Sequence, residues 1–196
     1  MTTYYIKQLF LWVFLSAFII IAGCSSVPVA SKNWPQKVLK TLSLREKIAQ
    51  MMIYRMHLKY KDVTPEKWKE ITRLLDGDGI GGIHLWSGDG SSSIAIMNEI
   101  QKRSRVPIIF DADIERGFGQ RFPSGTDFPP MMAITATGNS ENAYEVGKIV
   151  AIESRAAGIH WNLSPVVDVN NNPLNPIINT RSVSYTHLTL PTSDLV

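Results

Sequence analysis

Between Asp113 and Arg121 the chain sets two acids (Asp113, Glu115), two arginines (Arg116, Arg121) and two glycines within nine residues. Carboxylates and guanidiniums at that density have two uses. They staple a loop, Asp113 and Arg121 pairing with one another or with Arg116 and Glu115. Or they turn charge-assisted hydrogen bonds on a polar ligand. Charges rarely enter a core unpaired, so the stretch belongs to a loop or a site. What precedes it says which end of which element carries it. Val106–Phe110 is a short apolar run, opened by a proline and closed by Asp111. It reads as a strand buried on both faces, with Asp111 as a cap or brace. A charged, glycine-bearing loop after such a strand is where α/β proteins keep their chemistry.

The elements that must position this loop are legible around it. Leu42–Met51 begins a helix: Ser43 suits the N-cap, Glu46 follows three residues on, and Leu44, Ile48 and Met51 share a face. Met51–Met56 is a candidate first strand. A helix from about Thr64 to Leu75 has Thr64 as cap, Pro65 at its first position and Trp68, Ile71 and Leu75 as its inner stripe. Ile80–Leu85 is a short strand whose glycines permit close backbone approach. Ser91–Ser104 is a helix with Ile94, Met97 and Ile100 inward. Phe122–Pro130 is too broken by Pro and Gly for regular helix. Asn139–Ala157 is the longest helix, capped by Asn139 or Ser140, favoured by Glu141 at its positive end and stopped by Gly158. Ile159–Val167 returns to strand, and Asp168–Pro173 is a tight polar loop. Helix and strand alternate through about four strands, which predicts a parallel sheet with helical crossovers. Periodicity fits a barrel and a doubly wound sheet equally well.

Other chemistries are excluded by spacing. Gly77–Gly82 matches G-x-G-x-x-G but precedes a strand instead of following one, so it is no dinucleotide loop. Asp168-x-Asn170-x-Asn172 opens like a calcium loop, but Pro173 stands where glycine is needed and Asn179 where a bidentate glutamate is needed. The four histidines show no metal spacing, so no metal or other cofactor is implied. His84 and His160, on strands, read as satisfied wall residues. Trp86, beside a strand end, either packs or stacks on a ligand. A formal charge of +3 without a lysine-arginine run excludes a nucleic-acid partner.

Residues 1–23 stand apart. Lys7 is their only charge, and Leu9–Ala22 is almost wholly apolar, the layout of a secretory signal peptide. Ile21-Ala22-Gly23-Cys24 resembles a bacterial lipobox, which would make Cys24 a lipidated N-terminus, with 24–40 as a tether. Cys24 is the only cysteine, so no internal disulfide is possible. Ser25 and Ser26 follow without the aspartate that resembles an inner-membrane retention signal. The expected location is the cell envelope, at the outer membrane through the lipid anchor.

Five stretches in order resemble glycoside hydrolase family 3, in particular its β-N-acetylhexosaminidase branch. They are Leu42–Met51, Gly81–Trp86, Asp113-Ile114-Glu115-Arg116-Gly117 with Gln120-Arg121, Asn162–Val169, and Asn175–Ser182. The β-glucosidase branch tends to carry histidine where Glu115 stands. The resemblance implies an α/β TIM-type (β/α)8 barrel, of which 41–182 would be the N-terminal half. It implies that Asp113 accepts from sugar hydroxyls and that Arg121 and Arg181 donate to the same sugar. Glu115 is read as a structural acid.

The resemblance also shows what is missing. The branch takes its nucleophile, an aspartate, from a later strand, and its acid/base, a histidine–aspartate pair, from a flexible loop near a lysine-histidine motif. Neither occurs in these 196 residues, so no catalytic residue is assigned. The fold usually needs ~250 residues, and 183–196 departs from the family and reads as an aberrant tail, where His187 and Asp194 are given no role. The expectation is a retaining enzyme, removing terminal β-linked N-acetylglucosamine from peptidoglycan or chitin-like fragments, whose present chain is an inactive half-barrel with exposed strand edges. A β-glucosidase, a glycosyl phosphorylase and a non-catalytic sugar-binding lipoprotein are the alternatives.

Overall fold

The computed structural model describes residues 33–172 and 174–182. The expected signal peptide, Cys24 and the 183–196 tail lie outside the described residues. The chain divides into two units, Met1–Thr41 and Leu42–Val196. In the first, inside the stretch expected as a tether, α1 (Trp34–Thr41) is a two-turn helix with no buried residue.

The second unit runs α2 (Leu44–Ala49), β1 (Ile53–Leu58), α3 (Pro65–Asp76), β2 (Gly82–Gly88), α4 (Ser91–Arg103), β3 (Ile109–Ala112), α5 (Met131–Ala136), α6 (Ser140–Ala156) and β4 (Trp161–Asn162). The helix starts follow their caps. Ser43 and Glu46 close a reciprocal capping box on α2. The Thr64 hydroxyl accepts from the Lys67 N–H with Pro65 at the first position of α3. The Asn139 side chain accepts from the Glu141 N–H to open α6. Past α6, Gly158 takes a positive φ of 86°, as its position after the helix requires.

The four strands are parallel and lie in the order β1-β2-β3-β4. Each strand adds beside the one before it, with no reversal of direction across the sheet. A doubly wound sheet needs such a reversal; this order is that of a barrel wall, and it resolves what periodicity left open.

Alternation along each strand separates two faces. Met56 and Leu58, Ile83 and Leu85, and Phe110 and Ala112 join Ile71, Leu75, Met97, Ile100, Val150 and Ile159 in one core between strands and helices. The other face carries Ile53, Arg55 and His57, then Gly82, His84 and Trp86, then Ile109 and Asp111, then Trp161. Hence the β3 strand is not buried on both faces as its apolar run predicted: Phe110 is 1% exposed and its neighbour Ile109 46%.

The strands start later than expected, for identifiable reasons. The N–H groups of Met51 and Met52 bond back to Ile48 and Ala49, so α2 runs out in a turn and β1 begins at Ile53. The Gly81 N–H donates to the carbonyls of Ala49 and Met52, which spends Gly79–Gly81 on a turn. A Cβ at Gly81 would stand 1.8 Å from the Gln50 carbonyl oxygen, the close approach its glycine permits. Gln101 on α4 clamps the Ile108 backbone, donating to its carbonyl at 2.7 Å and accepting from its N–H at 2.9 Å, so β3 pairs only from Ile109. The strand expected over 159–167 shrinks to Trp161–Asn162, because its partner β3 ends at Ala112.

Three further corrections concern packing. Leu44, Ile48 and Met51 are exposed, so the apolar face of α2 is uncovered in this chain. Ile94 is exposed, and the inner face of α4 is Ser93, Met97 and Ile100. No element is expected over 131–138, yet the short helix α5 forms there, directly after the irregular Phe122–Pro130 stretch; it has no side-chain cap to announce it.

Candidate functional site: the charged inner face of the sheet

Register brings the site together. Arg55 on β1 pairs with His84 on β2, His84 with Asp111 on β3, and Asp111 with Trp161 on β4. These four residues form one row across the sheet, on the face that no helix covers among the described residues. Asp111 is fully buried. Its Oδ1 lies 2.5 Å from His84 Nδ1, and its Oδ2 has no hydrogen-bond partner among the described residues. A carboxylate only accepts, so Nδ1 is the proton-bearing nitrogen of that bond. His84 Nε2 then faces Asp113 Oδ2 at 3.8 Å.

Asp113 follows the last paired residue of β3. Arg121 donates through Nε to the Asp113 backbone carbonyl at 2.9 Å and holds Nη2 3.8 Å from its carboxylate. The Asp113 carboxylate thus stands between an imidazole and a guanidinium, both at ion-pair distance. Among the described residues it accepts no direct hydrogen bond, and its side chain is 29% exposed. The expected staple between Asp113 and Arg121 is therefore made through the backbone, and the carboxylate lone pairs stay open to a hydroxyl. The guanidiniums of Arg55 and Arg121 lie 3.7 and 4.5 Å from the Trp86 ring centroid. Those contacts make Trp86 a support for the cations.

The loop that carries Asp113 is fixed by its own residues. Gln120 Oε1 accepts from the Glu115 and Arg116 N–H groups, at 2.9 and 3.2 Å. Asn162 holds Ile114 by both backbone groups, accepting at 2.9 Å and donating at 3.1 Å, and Ser164 adds a bond to the same carbonyl. Phe118 and Phe122 stack with centroids 4.5 Å apart. Gly117 has φ 112°, where a Cβ would stand 2.3 Å from the Thr126 carbonyl oxygen. Glu153 of α6 ties down Thr126, accepting from its N–H and its hydroxyl.

Arg181, expected to donate to the same sugar, is held by a carboxylate of the Asp113 loop. It forks onto Glu115, Nε at 2.8 Å and Nη2 at 2.7 Å, and donates to the Ile177 carbonyl. The Glu115 hydrogen bonds hold its guanidinium above the ordinary arginine value, against a smaller opposing effect of burial. Glu115 is thus the structural acid it was read to be. Arg181 is engaged by it, while Asp113 and Arg121 face one another directly. His160 is a wall residue: Nδ1 accepts the Phe110 N–H at 3.0 Å, the ring stacks on Phe110, and burial, then Arg155, lowers its pKa.

His84 and Asp111 are the site residues that sequence reading placed elsewhere, as a wall residue and a brace. The alternation Ile83-His84-Leu85-Trp86 does put His84 and Trp86 on one face, but only the β2–β3 register puts His84 beside Asp111. A separate hollow of about 540 Å³ lies between α6 and β4, lined by Met131, Val146, Val150, Ile159 and Trp161; neither Asp113 nor Arg121 reaches it.

Comparison with known proteins identifies the family and matches the fold. Residues 43–190 match the glycosyl hydrolase family 3 N-terminal domain. The chain belongs to glycoside hydrolase family 3. It is 30% identical over 149 residues to a β-N-acetylglucosaminidase/β-glucosidase of Cellulomonas fimi, covering 76% of this chain and 25% of that protein. It is 33% identical over 108 residues to a β-hexosaminidase of Thiobacillus denitrificans, covering 50% of this chain and 30% of that one. Among solved structures, the fold matches a β-glucoside phosphorylase, BglX, with a TM-score of 0.68 at 24% identity, covering 78% of this chain and 27% of that one. Native NagZ of Neisseria gonorrhoeae matches with a TM-score of 0.53 at 25% identity, over 68% of this chain and 40% of that one. The chain spans about a quarter of the length of the first curated relatives it matches.

Proposed function

We propose that these residues form the sugar-holding half of a retaining exo-β-N-acetylhexosaminidase, which removes terminal β-linked N-acetylglucosamine from glycan or peptidoglycan fragments. The observation that carries this reading is the Asp113 carboxylate, positioned by Arg121 and His84 yet accepting no hydrogen bond from the described protein. Such a group accepts from ring hydroxyls, and bonds of that kind that strengthen as the ring flattens lower the barrier to glycosyl transfer. Arg121 is the donor beside it. Arg181 acts on the sugar through the Glu115 fork, as a rim donor rather than a free one.

Retaining hydrolysis needs a nucleophile and an acid/base, ~5–5.5 Å apart where both are carboxyl groups. In this proposal neither role belongs to the described residues, and the 196-residue chain binds sugar without turning it over. The names of the Cellulomonas fimi and Thiobacillus denitrificans relatives support the hexosaminidase branch. The expected envelope location, with Cys24 acylated after removal of 1–23, belongs to the same proposal; labelled fatty acid should enter the wild-type chain and not Cys24→Ala.

Titration calorimetry of the chain with N-acetylglucosamine and with glucose is the deciding experiment. The expected result is preferential heat with N-acetylglucosamine, abolished in Asp113→Asn. Equal or stronger binding of glucose would move the reading to a β-glucosidase or a phosphorylase. Release of N-acetylglucosamine from a chromogenic substrate by the purified chain would overturn the assignment of catalysis to residues outside it.

A further inference from the structure

We propose that His84 and Asp111 are a buried positioning pair that sets Asp113 for its ligand. The inference rests on the reading of Asp113 as the sugar-binding carboxylate.

The inward layers of a barrel are ordinarily filled by bulky branched aliphatics. Here the layer across β1, β2 and β3 is Arg55, His84 and Asp111 instead. As pure filling this is a poor choice. Taking an ion pair out of water costs more than its attraction commonly returns, and apolar residues of similar volume do as well or better. Asp111 is nevertheless completely buried, and one of its oxygens is left without a partner. A pair retained at that cost has a use beyond packing, and its geometry says what the use is.

Asp111 accepts the hydrogen bond of Nδ1–H at 2.5 Å, which fixes the ring plane and leaves Nε2 as the other polar atom of the His84 side chain. Nε2 points at Asp113 Oδ2. As the imidazolium, the ring donates from both nitrogens, to Asp111 on one side and toward Asp113 on the other. Arg55 from β1 and Arg121 from the loop after β3 both lie against Trp86, whose ring centroid is 6.1 Å from that of His84. The Asp113 Oδ2 therefore lies at ion-pair distance from both the imidazole and the Arg121 guanidinium. At 3.8 Å on each side the carboxylate is oriented without its lone pairs being used. His84 does not reach the sugar in this arrangement; it acts through Asp113.

Two measurements on the full chain test this. The first pairs His84→Leu with Asp111→Val, because either single change strands a buried polar partner and endangers the fold. The double variant should unfold at the wild-type temperature or above, yet bind N-acetylglucosamine roughly tenfold more weakly or worse. Loss of stability with unchanged affinity would mark the pair as filling and overturn the proposal. The second is ¹⁵N NMR of the imidazoles at fixed pH. Asp113→Asn should shift His84 Nε2 and leave His160 in place; an unmoved Nε2 overturns the proposal whatever the calorimetry gives. If the wild-type chain binds no sugar while Nε2 responds to Asp113→Asn, the sugar-site reading fails and the coupling of His84 to Asp113 stands.

Discussion

The two faces of the four-stranded sheet are built from the same strands, one residue out of phase, and they obey different rules. On the helix-covered face β1, β2 and β3 contribute apolar side chains to a single core, from Met56 and Leu58 through Ile83 and Leu85 to Phe110 and Ala112. On the other face stand Arg55, His57, His84, Trp86, Asp111 and Trp161, with Ile53 and Ile109 about half exposed between them. The first face is stabilised by area removed from water. The second is organised by charge and register. The lesson is that stability and binding are carried by alternate residues of the same strand, so substitutions one position apart should fail in different ways.

The largest expected effect is on the covered face. Phe110→Ala should cost about 3–5 kcal/mol, by lost transfer energy and the cavity left behind, read as a fall in the denaturant midpoint. Asp111→Ala, one residue on, strands His84 inside the sheet and should cost about 3 kcal/mol. Unlike the Phe110 variant, it should be rescued by apolar replacement of His84, which no core-cavity variant would show. Glu115→Gln removes the charge from a fork whose Arg181 side chain is 43% exposed and should cost only about 1 kcal/mol, with the Arg181 side-chain NMR signal losing its protection from solvent.

Glu46 gives a pH test at the edge of the sheet. Hydrogen bonds from Ser43 and Arg105 lower its pKa from the usual 4.5 to about 2. A depressed carboxylate stabilises above its unfolded value and loses that contribution as pH falls through the folded one. The thermal midpoint of the chain should therefore decline between pH 4.5 and 2 more steeply than that of Glu46→Gln. The smallest effect belongs to Ile109→Ser: on the uncovered face it should stay within about 0.5 kcal/mol. A penalty near that of Phe110→Ala would break the comparison between the faces.

Much of this was legible residue by residue. The caps Ser43, Thr64 and Asn139 are local chemistry, and they open the helices where their side chains can reach the first free N–H groups. The loop from Asp113 to Arg121 announces itself by charge and glycine content. Strand limits were less legible, since side chains far in sequence set them: Gln101 withdraws the Ile108 backbone from pairing, and Asn162 with Ser164 occupies that of Ile114. Asp111 beside His84 could not be read at all, because 27 residues and a helix separate them and only register makes them neighbours.

By itself, then, the sequence determined the alternation of helix and strand, the family, and the loop that carries Asp113 and Arg121. Those are consequences of short-range spacing, turn chemistry and motif order. The tertiary structure decided that the sheet runs in barrel order, that one face stays uncovered, that Glu115 engages Arg181, and that Asp111 holds His84 beneath Asp113. Each of those depends on which residue of one strand lies opposite which residue of the next. A shift of one position would exchange the two faces, so only the assembled sheet fixes them.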